Sequence, residues 1–103
     1  MIRWSPTARP HTGCPHNRLS RLLAAEMPGG IAIGASTLRP WASANFVGAR
    51  HIFSCAGSGS PTALQQMLAE TEWPLRGHIV ADVTVESVGG DGEFRIEILT
   101  VED

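Results

Sequence analysis

The stretch from His78 to Val101 limits the fold most. Ile79, Ala81, Val83 and Val85 alternate with Val80, Asp82, Thr84 and Glu86, which is the two-residue period of a strand with one buried face. Gly89-Gly90-Asp91-Gly92 follows, and Gly and Asp supply the positive φ of a tight hairpin turn. The chain returns from Glu93 to Val101, with Phe94, Ile96 and Ile98 pointing inward and Arg95 and Glu97 outward. A two-stranded hairpin is marginal alone in water, so this one needs more strands and a cover for its apolar side.

The residues before it supply a helix. Ser60 suits an N-cap and Pro61 a first helical position. Leu64, Met67, Leu68 and Thr71 then line one face as far as about Glu70. Thr71-Glu72-Trp73-Pro74 ends the helix, with Trp73 expected to fold back on the core.

The first half follows the same plan. From Asn17, Leu19, Leu22, Leu23 and Met27 recur at helical spacing, with Asn17 or Ser20 as cap and Pro28-Gly29-Gly30 as the stop. Ile31 to Arg39 reads as a strand with Ile31, Ile33, Ala35 and Thr37 on one face. Arg39-Pro40-Trp41-Ala42 turns the chain, and Ser43 to Cys55 returns as a strand, with Gly48 expected at a bulge or bend. Beyond Gly48, His51, Phe53 and Cys55 share one face, and Arg50, Ile52 and Ser54 the other. Leu22-Leu23-Ala24-Ala25-Glu26 recurs in type as Met67-Leu68-Ala69-Glu70, with a hairpin after each.

The order is therefore αββαββ. The reading is α+β: a two-layer sandwich, with a four-stranded antiparallel sheet and two helices on one face, in a ferredoxin-like, circularly permuted arrangement. The other face of the sheet is left open for a partner or a second copy. Residues 1–16 hold three Pro and no apolar period and read as an irregular N-terminal arm. Residues 17–103 read as a single α+β domain.

Arg39-Pro-Trp-Ala-Ser-Ala-Asn-Phe-Val-Gly-Ala-Arg-His51, Gly77-His-Ile-Val-Ala-Asp-Val83 and the closing Ile98-Leu-Thr-Val-Glu-Asp103 resemble a family of small uncharacterised bacterial proteins. The resemblance covers roughly residues 20–103. It implies a shared fold and brings no activity with it.

Composition narrows the setting. A hydrophobic fraction of 43% and a charged fraction of 17% suit a folded globular chain. The uncharged runs Pro40–Ala49 and Ile52–Ala69 are broken by Ser, Gly, Asn or Gln, so neither reads as a membrane span. The first residues have no apolar core of a secretory signal. Two Cys then read as free thiols in the cytoplasm. Residues 1–60 carry six Arg and one acid, whereas residues 61–103 carry two Arg and nine acids, and there is no Lys. Such asymmetry favours self-association or a charged partner.

Four clusters carry candidate chemistry. Arg39, Trp41, Asn45, Arg50 and His51 mix Arg with an aromatic on one hairpin, which suits a protein groove or stacking on single-stranded nucleic acid. On this reading Trp41 and Phe46 also pack into the core, and Arg39 and Arg50 pair with acids of the second half. The net charge of −2 and the lack of an RNP-like motif count against nucleic acid. Gly57, Ser58, Gly59 and Ser60 precede a helix and could hold an anion on backbone N–H groups, but no P-loop Lys follows. His11, Cys14 and His16 are metal-ligand types at a spacing that matches no strong zinc pattern, and His51 or Cys55 would have to complete the site. His51, His78 and Asp82 are the one acid–base set, but His78 and Asp82, at i and i+4 on one strand face, lie about 13–14 Å apart and cannot touch, and His51 could meet either only across the sheet. No activated nucleophile is evident and no catalytic residue is assigned. The expectation is a non-enzymatic cytoplasmic protein-interaction module without cofactor, acting on a second copy or another protein and not at a membrane. The alternatives are a small-ligand or metal-binding protein using residues 37–60, and nucleic-acid binding through the Arg-rich first half.

Overall fold

The computed structural model describes residues 14–89 and 92–103. Helix α1 spans His16–Glu26, strand β1 Ile31–Ala42 and strand β2 Val47–Gly57. Helix α2 spans Pro61–Ala69, β3 His78–Ser87 and β4 Glu93–Glu102. The strands form one antiparallel sheet in the order β1-β2-β4-β3. The two hairpins thus meet through their second strands, which leaves β1 and β3 at the edges. Gly90 and Asp91 of the expected turn lie outside the described residues, while the flanking Gly89 and Gly92 have φ of 75° and 78°.

The core forms where the periodic faces converge. Leu19 and Leu23 of α1 and Leu64 and Leu68 of α2 pack on Phe53 and Cys55 of β2, Val83 of β3, and Phe94, Ile96 and Ile98 of β4. Leu22, Met27, Met67 and Trp73 border this cluster. The central strands keep the alternation read from sequence: His51, Phe53 and Cys55 are buried, as are Phe94, Ile96 and Ile98.

Both edge strands depart from their expected alternation, for the same reason. In β1, Ile33 faces Cys55 but Ser36 faces Phe53, so Gly34 and Ala35 together stand opposite Ser54. This β-bulge inverts the strand: Ser36 and Leu38 follow Ile33 onto the helix side, and Thr37, opposite Ile52, turns outward. The expected face of Ile31, Ile33, Ala35 and Thr37 is corrected accordingly. In β3, Val80 faces Thr100 and Asp82 faces Leu99, with Ala81 as the extra residue. Val80, Val83 and Val85 therefore share the helix side, whereas Ile79, Asp82, Thr84 and Glu86 face outward. Bulges at both edges are an ordinary defence against edge-to-edge pairing. Gln65 of α2 covers β3 further: its Nε2 donates to Val83 O at 2.5 Å and its Oε1 accepts from Val85 N–H at 2.6 Å.

Gly48 lies in regular register between Trp41 and Val101, with no bulge or bend. It is Gly for want of space. A Cβ there would sit 1.9 Å from Thr100 O and 3.0 Å from the Trp41 ring. Neither Asn17 nor Ser20 caps α1. The N-cap is Pro15 and no side chain caps the turn, so His16, expected in the arm, opens the helix. Ser60 does cap α2, accepting from Ala63 N–H at 3.2 Å with Pro61 next.

Candidate functional site

The helix side of the sheet holds a chain of polar side chains at the N-terminal end of α1. Residue 16 is the first of the helix, residue 36 follows the β1 bulge, and residues 51 and 100 pair with flanking positions on the central strands. The Ser36 Oγ lies 2.9 Å from His16 Nε2. The Nδ1 atoms of His16 and His51 are 2.9 Å apart. The Nε2 of His51 is 2.9 Å from Thr100 Oγ1, which lies 3.4 Å from Ala49 O. His51 and Thr100 are fully buried, His16 is half-buried and Ser36 is exposed. His16 also stacks on Phe53, ring centres 5.5 Å apart.

One assignment of protons satisfies every contact with both imidazoles neutral. A carbonyl only accepts, so the Thr100 hydroxyl donates to Ala49 O. Thr100 Oγ1 then accepts from His51 Nε2–H, leaving His51 Nδ1 as an acceptor. His16 must donate through Nδ1–H, which leaves its Nε2 lone pair facing the Ser36 hydroxyl. Burial, then the nearby charges of His16 and His78, push the His51 pKa down from 6.5 to about 4. Burial also lowers that of His16. Both rings are therefore neutral near pH 7, as the assignment requires.

Of these four residues, the sequence reading singled out His16 and His51 but not their partnership. Ser36 and Thr100 carry no local signal, because a Ser after a bulge and a Thr in a strand are unremarkable until the register is known. His78 lies on the helix side at the rim of β3, with Nδ1 3.3 Å from Arg76 O. Asp82 lies beyond the Ala81 bulge on the opposite side of the sheet. The two do not share a strand face.

Of the metal-ligand types, His16 and His51 meet, but their ring nitrogens face each other, Ser36 and Thr100. Cys14 Sγ accepts from the His16 backbone N–H at 3.4 Å, the His16 ring is engaged with Ser36 and His51, and His11 lies outside the described residues. Among the described residues no three or more of His, Cys, Asp or Glu form a metal-holding group. Cys55 is buried in the core, where burial raises its thiol pKa. In the Gly57–Ser60 loop, Gly57 N–H donates to Gly92 O at 2.9 Å and the Ser60 side chain caps α2.

The hairpin cluster is divided between the two faces. Arg39, Trp41 and Arg50 point to the open face and His51 to the core. Asn45 lies exposed in the 43–46 connection. Trp41 and Phe46 are not core residues as expected. Trp41 lies against Gly48 on the open face, and Phe46, in the 43–46 connection, is 57% exposed. Arg50 does pair with Glu97 at 2.5 Å, but Arg39 stands opposite Arg50 and has no carboxylate partner among the described residues. Trp41 Nε1 is buried without an acceptor among those residues. A depression of about 440 Å³ lined by Ala32, Gly34, Ser54, Ala56, Val88 and Arg95, among others, contains none of the Ser36–Thr100 chain.

Comparisons with family models, curated proteins and solved structures return no match. No described helix is long and apolar enough to cross a membrane.

Proposed function

We propose that this chain is a protein-interaction module that pairs with a second copy of itself through the open face of the sheet. The observation that carries this reading is the ordering of charge across that face. Arg39 and Arg50 stand on the β1–β2 side, and Asp82, Glu86 and Glu97 on the β3–β4 side, with Arg95 paired to Glu86. Apolar Trp41, Ile52, Leu99, Val101 and Ile79 lie between and beyond them. Ile79 is 53% exposed.

A two-fold axis parallel to the strands, between β2 and β4, places β1 of one copy over β3 of the other and keeps the rows aligned. Arg39 then faces the partner subunit's Asp82, and Trp41 faces the partner subunit's Ile79. Four strands about 4.8 Å apart and about ten residues long present roughly 600 Å² per copy. Two such faces bury roughly 1,200 Å², the lower end of stable interfaces. The fold reading that accompanies this proposal is a ferredoxin-like sandwich, circularly permuted. It is supported by the order β1-β2-β4-β3, in which the β2-α2-β3 crossover spans β4.

Sedimentation equilibrium tests the pairing. Arg39→Glu and Asp82→Arg should each weaken dimerisation at least about tenfold, or about 1.4 kcal/mol. The double variant should restore it. A wild-type chain that stays monomeric at high concentration, or single variants that dimerise normally, would refute the reading.

A further inference from the structure

The opposite face of the sheet supports a chemical role that goes beyond pairing. We propose that Ser36, His16 and His51 form a hydrolytic site for small neutral carboxylic esters. In this site Ser36 is the nucleophile, His16 its general base and His51 the residue that orients the base.

Three observations carry the proposal. The first is contact order. Nucleophile to base and base to orienting group are both 2.9 Å, the arrangement by which an activated hydroxyl is recognised. The second is the tautomer. The contact from Thr100 to Ala49 O directs each donor along the chain so that the His16 lone pair ends on Nε2, facing the Ser36 hydroxyl. Taking that proton leaves the His16–His51–Thr100 contacts unchanged. By contrast, a proton on His51 Nδ1 would oppose His16 Nδ1–H. The third is access. Ser36 is exposed on an edge strand directly after a bulge, whereas His51 and Thr100 are sealed in the core.

The surroundings indicate the substrate. Leu38, 37% exposed, follows Ser36 on the same face, whereas Phe53 opposite Ser36 is sealed beneath the His16 ring. The accessible neighbour is apolar and brings no charge, so the acyl group it suits is apolar. The first turn of α1 has no side-chain cap. The N–H groups of Asn17 and Arg18 belong to the same first turn as His16, where a helix leaves its N–H groups without intrahelical acceptors. On this proposal they are the backbone donors for a developing oxyanion.

The reaction balances with water alone. Ser36 Oγ bonds to the carbonyl carbon as its proton passes to His16 Nε2. The tetrahedral adduct collapses, the ester C–O bond breaks, and the alcohol leaves with that proton. Water then attacks the acyl-Ser36, losing a proton to His16, and the acid departs as Ser36 regains it. His51 is neutral and gives the imidazolium no counter-charge, so turnover should be slower than with a carboxylate in that place.

The test treats the full chain with a fluorophosphonate and, separately, with p-nitrophenyl acetate. One probe per chain, mapped to Ser36, and an initial burst of nitrophenol are expected. Ser36→Ala should abolish both. Its side chain is exposed, so circular dichroism should show an unchanged fold. His16→Gln should slow labelling at least about a hundredfold. Thr100→Val should shift the pH profile of labelling, and Thr100→Ser should restore it, a readout that loss of packing alone would not give. Labelling elsewhere, no labelling of the folded chain, or equal hydrolysis by Ser36→Ala would overturn the proposal. If His16→Gln fails to fold, the comparison of wild type with Ser36→Ala decides.

Discussion

The two faces of the sheet handle polar groups in opposite ways. On the open face Arg50 and Glu97 meet at 2.5 Å, and Arg95 meets Glu86, with side chains partly exposed to water. Such pairs are worth about 0–1 kcal/mol each. On the covered face His51 and Thr100 are fully buried, and each must be satisfied because an unpaired buried polar group costs about 1–3 kcal/mol. The same sheet therefore carries a solvated side whose ion pairs contribute little, and a sealed side where one proton arrangement satisfies every contact. The difference comes from the helices, which remove water from one face only.

The sharpest way to separate the faces is to truncate a large apolar side chain on each. Phe53→Ala should cost about 3–5 kcal/mol, because Phe53 is fully buried beneath the helices. Leu99→Ala, on the open face, should cost about 1 kcal/mol in the monomer. Urea melts of both variants would measure the gap, and equal losses would mean that the open face is covered.

Gly48→Ala tests the tightest point of the open face. The new Cβ would meet the Thr100 carbonyl and the Trp41 ring, so a loss of about 3 kcal/mol is expected from overpacking. A variant as stable as wild type would show that Trp41 does not lie over Gly48.

Acid should act on the covered face. Above pH 6.5 His51 is neutral whether folded or unfolded. Between pH 6.5 and about 4 the unfolded chain binds the proton and the folded chain does not. Stability should therefore fall with pH through this window, by about 2 kcal/mol at pH 5. The depressed pKa of His16 acts in the same direction. Urea midpoints at pH 7 and pH 5 would show this, and NMR titration of the two rings would assign it.

The smallest effect is expected at Trp41→Phe. The change removes the buried Nε1–H that lacks an acceptor, which offsets the lost apolar area. A net change within about 1 kcal/mol should follow. A loss near 3 kcal/mol would reveal that this N–H donates to an acceptor outside the described residues.

Much of the fold was legible beforehand. The helices were set by apolar spacing, the Ser60-Pro61 cap and the Pro28-Gly29-Gly30 stop. The faces of β2 and β4 were set by alternation. These are local properties: a period of 3.6 or 2 is written in neighbouring residues, and the central strands have partners on both sides to keep them regular. Three things needed the tertiary structure. The bulges at Gly34-Ala35 and Ala81 turn side chains over within the edge strands, and they depend on pairing with residues far along the chain. The space that Gly48 leaves for Trp41 and Thr100 depends on three strands at once. The chain from Ser36 through His16 and His51 to Thr100 joins four elements. Hydrogen bonds among side chains reach about 3 Å in space but leave no period in sequence, so only the closed fold could bring these residues together.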